Sequence, residues 1–242
     1  MKEATKKPKE SRKSMKRVAV KVGSNVLTRD DGKLDVTRMS AIVDQIAWLK
    51  QHDYEVVLIS SGAVACGRGE LKVDRRLDSV GQRQLFSAVG QVKLIGLYYD
   101  FFREFGIRVG QVLTMKESFA TRAEYLNQRE CMNVMLSNGV IPIVNENDTV
   151  SVTELMFTDN DELSGLIASM MDCDALIILS NVDGIYNGNP KQPGTRVIPV
   201  VDCDRDISEY VVDERSDFGR GGMGTKVRIA QKVAEEGIKV II

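Results

Sequence analysis

A glycine-rich segment near the end of the chain is the first candidate for chemistry. It reads Gly219-Arg220-Gly221-Gly222-Met223-Gly224-Thr225-Lys226 and leads into an apolar helical pattern over 223–236. Glycines let backbone N–H groups close around an anion, the start of a helix carries partial positive charge, and Lys226 adds a full charge. The combination predicts phosphate binding, although a flexible loop with a surface lysine would have the same composition.

Two well-known phosphate-binding motifs, the dinucleotide-binding fingerprint and the Walker A loop, fit this segment poorly. The spacing G-x-G-x-x-G is present, but residues 213–218 before it are mostly polar, where a dinucleotide-binding fold needs a buried strand. The acidic residue expected about 20 positions later would also lie past the last residue. A Walker A loop needs lysine followed by serine or threonine, whereas here Thr225 precedes Lys226.

A second lysine lies in an apolar strand pattern. Lys21 falls near the end of the β-branched run 17–22, which Gly23 closes. A lysine among apolar residues needs a fixed anion or a route to solvent. At the end of a buried strand Lys21 could reach a phosphate; on an edge strand it would simply reach water.

A serine follows the next apolar run. Ser61, with Gly62 and Ala63, comes after the strand pattern 55–59 and offers a hydroxyl and N–H groups suited to a carboxylate. The chain has one histidine, His52, in a predicted turn, so no histidine is available to activate Ser61 as a nucleophile. We therefore interpret the serine as a binding residue.

Two segments rich in acids and amides complete the candidates. Asn145-Glu146-Asn147-Asp148 follows the strand pattern 140–144 and could hold an amino group, or form an Asx-rich turn without a ligand. Asp159-Asn160-Asp161-Glu162 opens a helical pattern, and its first and last members have the spacing of a capping box.

Taken together, these residues predict phosphoryl transfer to a carboxylate. That reaction needs mainly positioning and positive charge around the migrating group, which two lysines and a glycine loop supply. A carboxylate acceptor with a pKa near about 4.3 is already ionised at neutral pH and needs no general base. The shortage of histidine is then no obstacle.

The elements that must position these residues alternate between strand and helix. Strands are predicted at 17–22, 55–59, 107–113, 140–144, 175–179 and 238–242, helices at 35–49, 77–105 (with a break near Gly90), 122–137, 161–171 and 223–236, and a hairpin at 184–194. This order predicts an α/β fold, a three-layer sandwich with an open, mostly parallel central sheet flanked by helices. Ligands bind such sheets beyond the carboxyl ends of the strands, where all the polar segments fall.

Composition sets limits on partners and location. The 242 residues are 43% hydrophobic and 28% charged, and their formal net charge is -1. A net charge this close to zero argues against a nucleic-acid partner. No apolar stretch approaches the roughly 20 residues that cross a bilayer. Cysteines 66, 131, 173 and 203 form no C-x-x-C pair, which indicates buried reduced thiols in a cytoplasmic protein. Residues 1–16 are predicted to be a disordered basic tail before a domain at 17–242.

Six segments in a characteristic order resemble the glutamate 5-kinases, a branch of the amino-acid kinase family. The resemblance covers about residues 16–242. The lysine-glycine start and the final lysine are shared across amino-acid kinases, whereas Asn-Glu-Asn-Asp followed by Asp-Asn-Asp is specific to the glutamate branch. The segments are Val20-Lys21-Val22-Gly23-Ser24, Ser60-Ser61-Gly62-Ala63-Val64, Asn145-Glu146-Asn147-Asp148, Asp159-Asn160-Asp161, Asp183-Gly184-Ile185-Tyr186 and Gly221-Gly222-Met223-Gly224-Thr225-Lys226.

The resemblance implies ATP-dependent phosphorylation of the side-chain carboxylate of L-glutamate, with Mg²⁺ carried mainly by the ATP phosphates and no metal site in the protein. It implies that Lys21 and Lys226 neutralise the transferring phosphoryl group and that Asp159 orients them. The substrate would contact Ser61, Gly62, Ala63, Asn145, Asp148 and Asn160. ATP would contact Lys21, Gly23, Ser24, Ser180, Asn181, Arg220, Gly221, Gly222, Met223, Gly224, Thr225 and Lys226.

The product, L-glutamyl 5-phosphate, would enter proline synthesis, with proline as feedback inhibitor and a homo-oligomer (dimer or tetramer) as the assembly. Three positions depart from the family pattern: Arg220 replaces a common threonine, Asn181 a frequent aspartate and Thr158 a frequent glycine. We also expect a truncated domain, because the chain ends within a strand and carries no RNA-modification-type C-terminal domain.

Other functions remain as alternatives. Acetylglutamate, aspartate and uridylate kinases share the fold, but Asn145 to Asp148 argues against each. A Rossmann-type dehydrogenase is suggested by G-x-G-x-x-G alone. A non-enzymatic amino-acid sensor would have no migrating phosphate to neutralise, so the presence of both Lys21 and Lys226 argues against it.

Overall fold

Six parallel strands form one central sheet in the computed structural model, which describes residues 16–73, 77–150, 160–190, 192–202 and 222–242. The strand order is β3-β4-β2-β1-β5-β6, and every described pair is parallel. The prediction of an open parallel sheet in an α/β fold is confirmed. The strands are β1 Lys16–Val22, β2 Tyr54–Ser60, β3 Arg108–Thr114, β4 Val140–Glu146, β5 Ala175–Leu179 and β6 Lys239–Ile241.

Helices cover both faces of this sheet. Side chains alternate between the two faces of a strand, so β1 sends Val18, Val20 and Val22 into one core and Ala19 into the other. The first core is closed by α2, α3 and α4, the second by α5, α6 and α7. The helices are α1 Ser24–Leu27, α2 Val36–Gln51, α3 Ala63–Glu70, α4 Ser79–Arg103, α5 Arg122–Ser137, α6 Asn160–Met170 and α7 Met223–Glu235, with a 3₁₀ turn at Lys116–Phe119.

Two helices, the short α1 and α3, escaped the sequence analysis, and one predicted break does not occur. Helix α3 contains Gly67 and Gly69, which lower intrinsic helix propensity. The structure explains Gly67, because a Cβ there would lie 1.9 Å from the Phe86 carbonyl oxygen of α4. Gly90 does not break α4: it lets the helix approach α3, since a Cβ at Gly90 would lie 1.8 Å from the Ala63 carbonyl oxygen.

The remaining predicted elements agree with the structure to within two residues at each end. A hairpin is present where one was predicted, but its second arm lies beyond the predicted end at 194: Tyr186 is bridged to Val197 in antiparallel fashion. Cys66 and Cys173 are buried free thiols as predicted, whereas Cys131 is exposed on α5, which corrects that expectation. Cys203 and the predicted tail before Lys16 lie outside the described residues. Among the described helices, none combines the length and apolar character needed to span a membrane.

Candidate active site

The polar segments predicted from the sequence gather at one edge of the sheet. Because the strands are parallel, their carboxyl ends all face the same way. Val22 at the end of β1 pairs with Ser60 on one side and with Leu179 on the other. The residues that follow these strands, Gly23, Ser61 and Ser180, are therefore neighbours.

A buried carboxylate between two lysines lies at the centre of this edge. Lys21 and Asp161 are 5% and 1% exposed, and the Lys21 ammonium donates to Asp161 Oδ1. The Lys226 ammonium donates to Asp161 Oδ2 at 2.9 Å. Two ammonium groups are thereby fixed around one carboxylate in a poorly solvated place. Such a centre suits an anion that carries several negative charges, such as a phosphate.

Among the described residues, the carboxylate that bridges both lysines is one that the sequence analysis did not select. Asp159 was assigned the role of orienting both lysines, and it lies outside the described residues, as does Thr158. In the structure, the carboxylate that meets both Lys21 and Lys226 is that of Asp161, the second residue of α6. Asp161 was part of the recognised motif, but the sequence offered no reason to prefer it.

The local fold explains how the three side chains meet. Lys21 lies on the same face of β1 as Ala19, which is the face covered by α6. Gly23 leaves room for the ammonium group, because a Cβ there would lie 3.3 Å from Lys21 Nζ. Gly165, one turn after Asp161, brings α6 close to α7: a Cβ at this position would lie 2.8 Å from Ile229 Cγ2.

A network of hydroxyl and amide groups continues from this centre across the sheet edge. Asn160 Nδ2 donates to Ser61 Oγ at 2.6 Å and to Asn145 Oδ1 at 3.2 Å. Asn145 in turn donates through Nδ2 to Gln91 Oε1 at 3.0 Å. The structure thus brings together Ser61, Asn145 and Asn160, which the sequence analysis placed in the substrate site. Gly62 and Ala63 follow at the start of α3, where Gly62 has a φ of 108°.

Asp148, also predicted to bind substrate, is held by helix α4. Arg83 Nε donates to Asp148 Oδ1 at 2.7 Å, and Arg83 Nη2 donates to Glu146 Oε2 at 3.0 Å. Ser87 Oγ donates to Asp148 Oδ2 at 3.2 Å. Asp148 and Glu146 thus place two buried carboxylates beside the Arg83 guanidinium at this edge of the sheet.

Sequence reasoning missed the contribution of α4 to the site. Arg83, Ser87 and Gln91 are spaced four residues apart and therefore lie on one face of the helix. Each contacts one of the polar residues at the end of β4. The available signal was a polar series at positions i, i+4 and i+8 inside a largely apolar helix.

A buried tyrosine supports the backbone beside Ser61. Ser60 Oγ donates to the Ser61 carbonyl oxygen at 2.9 Å and lies 2.8 Å from the Tyr98 hydroxyl oxygen. Because the Ser60 proton is used on Ser61, the Tyr98 hydroxyl must be the donor in the second contact. Burial raises the pKa of Tyr98 well above its usual value, so the hydroxyl stays protonated and able to donate.

The residues predicted to contact nucleotide lie on the other side of the lysine pair. Gly222 precedes α7, and Met223, Gly224 and Thr225 form its first turn with Lys226. Gly23 approaches the end of β5, because a Cβ there would lie 3.7 Å from the Leu179 carbonyl oxygen. Ser180 is half-buried and Asn181 exposed after β5, and Ser24 begins α1. Arg220 and Gly221 lie outside the described residues.

The amino acid kinase family model matches residues 16–242. The chain belongs to the amino acid kinase family. A carbamate kinase from Giardia lamblia, solved with AMP-PNP bound, superposes with a TM-score of 0.67 at 16% identity, over 94% of this chain and 93% of that one. At this identity the similarity shows that the two chains share a fold.

Some curated relatives of this chain are more similar in sequence. A glutamate 5-kinase of Bacteroides thetaiotaomicron is 69% identical over 93% of this chain and 63% of its own length. One of Chlorobaculum tepidum is 48% identical over 94% of this chain and 63% of its own length. The chain therefore spans less than two thirds of the length of these relatives.

Proposed function

We propose that this chain transfers the γ-phosphoryl group of ATP to the side-chain carboxylate of L-glutamate, giving L-glutamyl 5-phosphate, the first step of proline synthesis. The observation that carries the proposal is the placement of the Lys21–Asp161–Lys226 centre beside the Ser61–Asn160–Asn145 network. One part suits a phosphate in transfer, and the other suits a small zwitterion with a second carboxylate. The similarity to two glutamate 5-kinases supports the same assignment.

The lysines carry the chemistry in this proposal. A glutamate carboxylate oxygen attacks the γ-phosphorus, the bond to the β,γ-bridging oxygen breaks, and negative charge accumulates on both sides. Lys21 and Lys226 stabilise this charge, and Asp161 holds the two ammonium groups at a fixed separation. The attacking oxygen is already ionised, so no side chain has to remove a proton.

Mg²⁺ would accompany ATP, where it neutralises phosphate oxygens. Among the described residues, no group of three histidine, cysteine, aspartate or glutamate side chains gathers to hold a metal ion. Asp161 is already shared by Lys21 and Lys226. In this proposal the metal ion is carried mainly by the nucleotide phosphates.

Recognition of the amino acid would fall to the far end of the network. Asp148, which Arg83 and Ser87 hold in place, would accept from the substrate ammonium group. Ser61 and Asn160 supply a hydroxyl and an amide near Asp161, where the side-chain carboxylate has to lie for transfer. The distance between the two ends would then favour glutamate over shorter amino acids.

Three further properties belong to the proposal because the family resemblance implies them. We expect a cytoplasmic location, assembly into a homo-oligomer and feedback inhibition by proline. Each can be checked on the purified chain or in cells, by imaging, by sedimentation and by adding proline to the assay.

The test is ATP-dependent formation of an acyl phosphate, trapped with hydroxylamine as the hydroxamate. L-glutamate should give hydroxamate in proportion to the ADP formed, whereas L-aspartate and N-acetyl-L-glutamate should give little. A preference for L-aspartate or N-acetyl-L-glutamate would replace glutamate with another acceptor of the same family. If ADP forms but none of the three acceptors gives hydroxamate, carboxylate phosphorylation is contradicted.

A further inference from the structure

Helix α4 contributes a buried glutamine whose amide group is only half used. Gln91 is 8% exposed and lies one turn beyond Ser87, which contacts Asp148. Its Oε1 accepts from Asn145 Nδ2 at 3.0 Å. Among the described residues, no acceptor lies within hydrogen-bond reach of Gln91 Nε2.

The hydrogen-bond network determines which end of the Gln91 amide is which. The Glu146 backbone N–H donates to Asn145 Oδ1 at 2.9 Å, so that atom must be an oxygen. Asn160 Nδ2 donates to the same oxygen at 3.2 Å. The other end of the Asn145 amide is therefore a donor, and the Gln91 atom that it meets must be an acceptor. Rotating the Gln91 amide by 180° would place two donors against each other, so its N–H₂ group faces away from Asn145.

A buried donor without an acceptor is rare in folded proteins and costs free energy. Ligand-binding sites are one place where such donors persist, because the bound ligand supplies the acceptor. The acceptor best suited to an amide N–H₂ group among polar and charged neighbours is an anionic oxygen. The unused donor thus points to a ligand carboxylate.

The position of Gln91 selects one of the two carboxylates of glutamate. The carboxylate to be phosphorylated has to lie near Lys21 and Lys226, and Asn160 is the network member adjacent to Asp161 in the chain. Gln91 is separated from Asn160 by Asn145 and shares its helix face with Ser87 at the Asp148 end. The donor is therefore next to the place where the substrate ammonium group would bind.

We propose that Gln91 Nε2 donates to the α-carboxylate of the amino-acid substrate and thereby helps to determine specificity. Together with Asp148 it would recognise the two charged groups on the substrate α-carbon. This proposal rests on the proposed function, since it assumes an amino acid as phosphoryl acceptor.

The decisive variant is Gln91→Glu. A glutamate at this position keeps an oxygen for Asn145 Nδ2 but replaces the amide donor with a second oxygen, which repels a carboxylate. The KM for L-glutamate should rise by about tenfold to a hundredfold, as for the loss of a hydrogen bond to a charged group. The KM for ATP should change by less than about twofold. Gln111→Glu, the same change at an exposed position of β3, is the matched control and should leave both values unchanged.

A second variant separates substrate contact from support of Asn145. Gln91→Met removes both the donor and the acceptor without adding charge. It should also raise the KM for L-glutamate, yet 4-aminobutyrate, which lacks the α-carboxylate, should compete with L-glutamate equally well in this variant and in the wild-type chain. A raised KM for L-glutamate in Gln91→Met, together with normal kinetics in Gln91→Glu, would show that Gln91 only holds Asn145 in place. That result would overturn the proposal. Equal weakening of L-glutamate and 4-aminobutyrate would overturn it as well.

Failure of the proposed function would give a different result from failure of the Gln91 contact. A wild-type chain that forms no hydroxamate from L-glutamate contradicts the reaction, and calorimetric binding of L-glutamate to the wild-type and Gln91→Glu chains then decides the contact on its own. Equal binding to both would overturn the assignment of Gln91, and weaker binding to the variant would support it.

Discussion

The buried carboxylate of Asp161 lies between two ammonium groups that would otherwise repel each other. Asp161 is 1% exposed, so water screens the repulsion poorly. An asparagine would preserve the shape of this side chain and remove its charge. Without this charge, Lys21 and Lys226 are no longer held at a fixed separation around the phosphoryl group. We therefore expect the loss of turnover to exceed the loss of stability.

We predict that Asp161→Asn lowers kcat by about a hundredfold or more, because fixed charges around the migrating group stabilise the transition state. The melting temperature should also fall, since the buried Lys21 loses its charged partner. Steady-state kinetics and thermal unfolding measure both effects. Asp159→Asn, the same change two residues earlier, is the matched comparison; near wild-type turnover in Asp161→Asn with a large loss in Asp159→Asn would assign the organising role to Asp159 instead.

Lys226 offers a second test at the residue scale. We predict that Lys226→Ala lowers kcat far more than it raises the KM for L-glutamate, because its charge matters most while the phosphoryl group is in transfer. The loss should be about a hundredfold or more. Lys232→Ala changes an exposed lysine of the same helix and should be silent. Wild-type turnover in a folded Lys226→Ala chain would remove this lysine from the mechanism.

At the scale of elements, the contact between α3 and α4 shapes the substrate side of the site. Helix α3 begins directly after Ser61 and Gly62, and α4 carries Arg83, Ser87 and Gln91. Their backbones touch because Gly67 and Gly90 have no side chain at the crossing. Widening this crossing would move both sets of polar groups relative to one another.

Two glycines of α4 provide a matched pair for this contact. We predict that Gly90→Ala destabilises the chain by about 1–3 kcal/mol or more, because the added carbon would lie 1.8 Å from the Ala63 carbonyl oxygen. Gly96→Ala should instead stabilise it by about 0.5–1 kcal/mol, since nothing lies within 4 Å of a Cβ there and alanine favours helices. Urea unfolding measures both, and shifts of the same sign would contradict the close packing of α3 and α4.

For the whole molecule, the sheet separates two cores, and each of them encloses a thiol. Cys66 lies in the core under α3 and α4, and Cys173 in the core under α6. Burial raises the pKa of the Cys66 thiol to about 11 and that of Cys173 to about 12. Both groups therefore remain neutral in the folded chain at any pH near 7.

These thiols make stability depend on pH under alkaline conditions. An unfolded cysteine ionises near pH 8.5, so above that pH the unfolded chain has released a proton that the folded chain retains. Unfolding is thereby favoured, and the free energy of unfolding falls as the pH rises from about 8.5 towards the folded pKa. We predict that the difference in unfolding free energy between wild type and Cys66→Ala shrinks by about 2 kcal/mol between pH 7 and pH 10. A difference that stays constant would contradict a buried neutral thiol at Cys66.

Much of this architecture could be predicted from local sequence. Apolar runs of β-branched residues, such as 17–22 and 175–179, identify buried strands, and their alternation with helical patterns dictates a parallel sheet. Parallel strands end on one side, so the polar residues after them had to meet there. The positions of Lys21, Ser61 and Asn145 at one edge follow from this rule alone.

Tertiary packing decided what local patterns leave open. Asp159 and Asp161 belong to one motif, and nothing in the local sequence singles out Asp161; only the packing of α6 on β1 and α7 brings its carboxylate to both lysines. Helix α3 was not predicted because glycine lowers helix propensity wherever it occurs. The reason for a glycine at position 67 is its close contact with Phe86, which belongs to a different helix. The role of Gln91 likewise depends on Asn145, which lies 54 residues away in the chain.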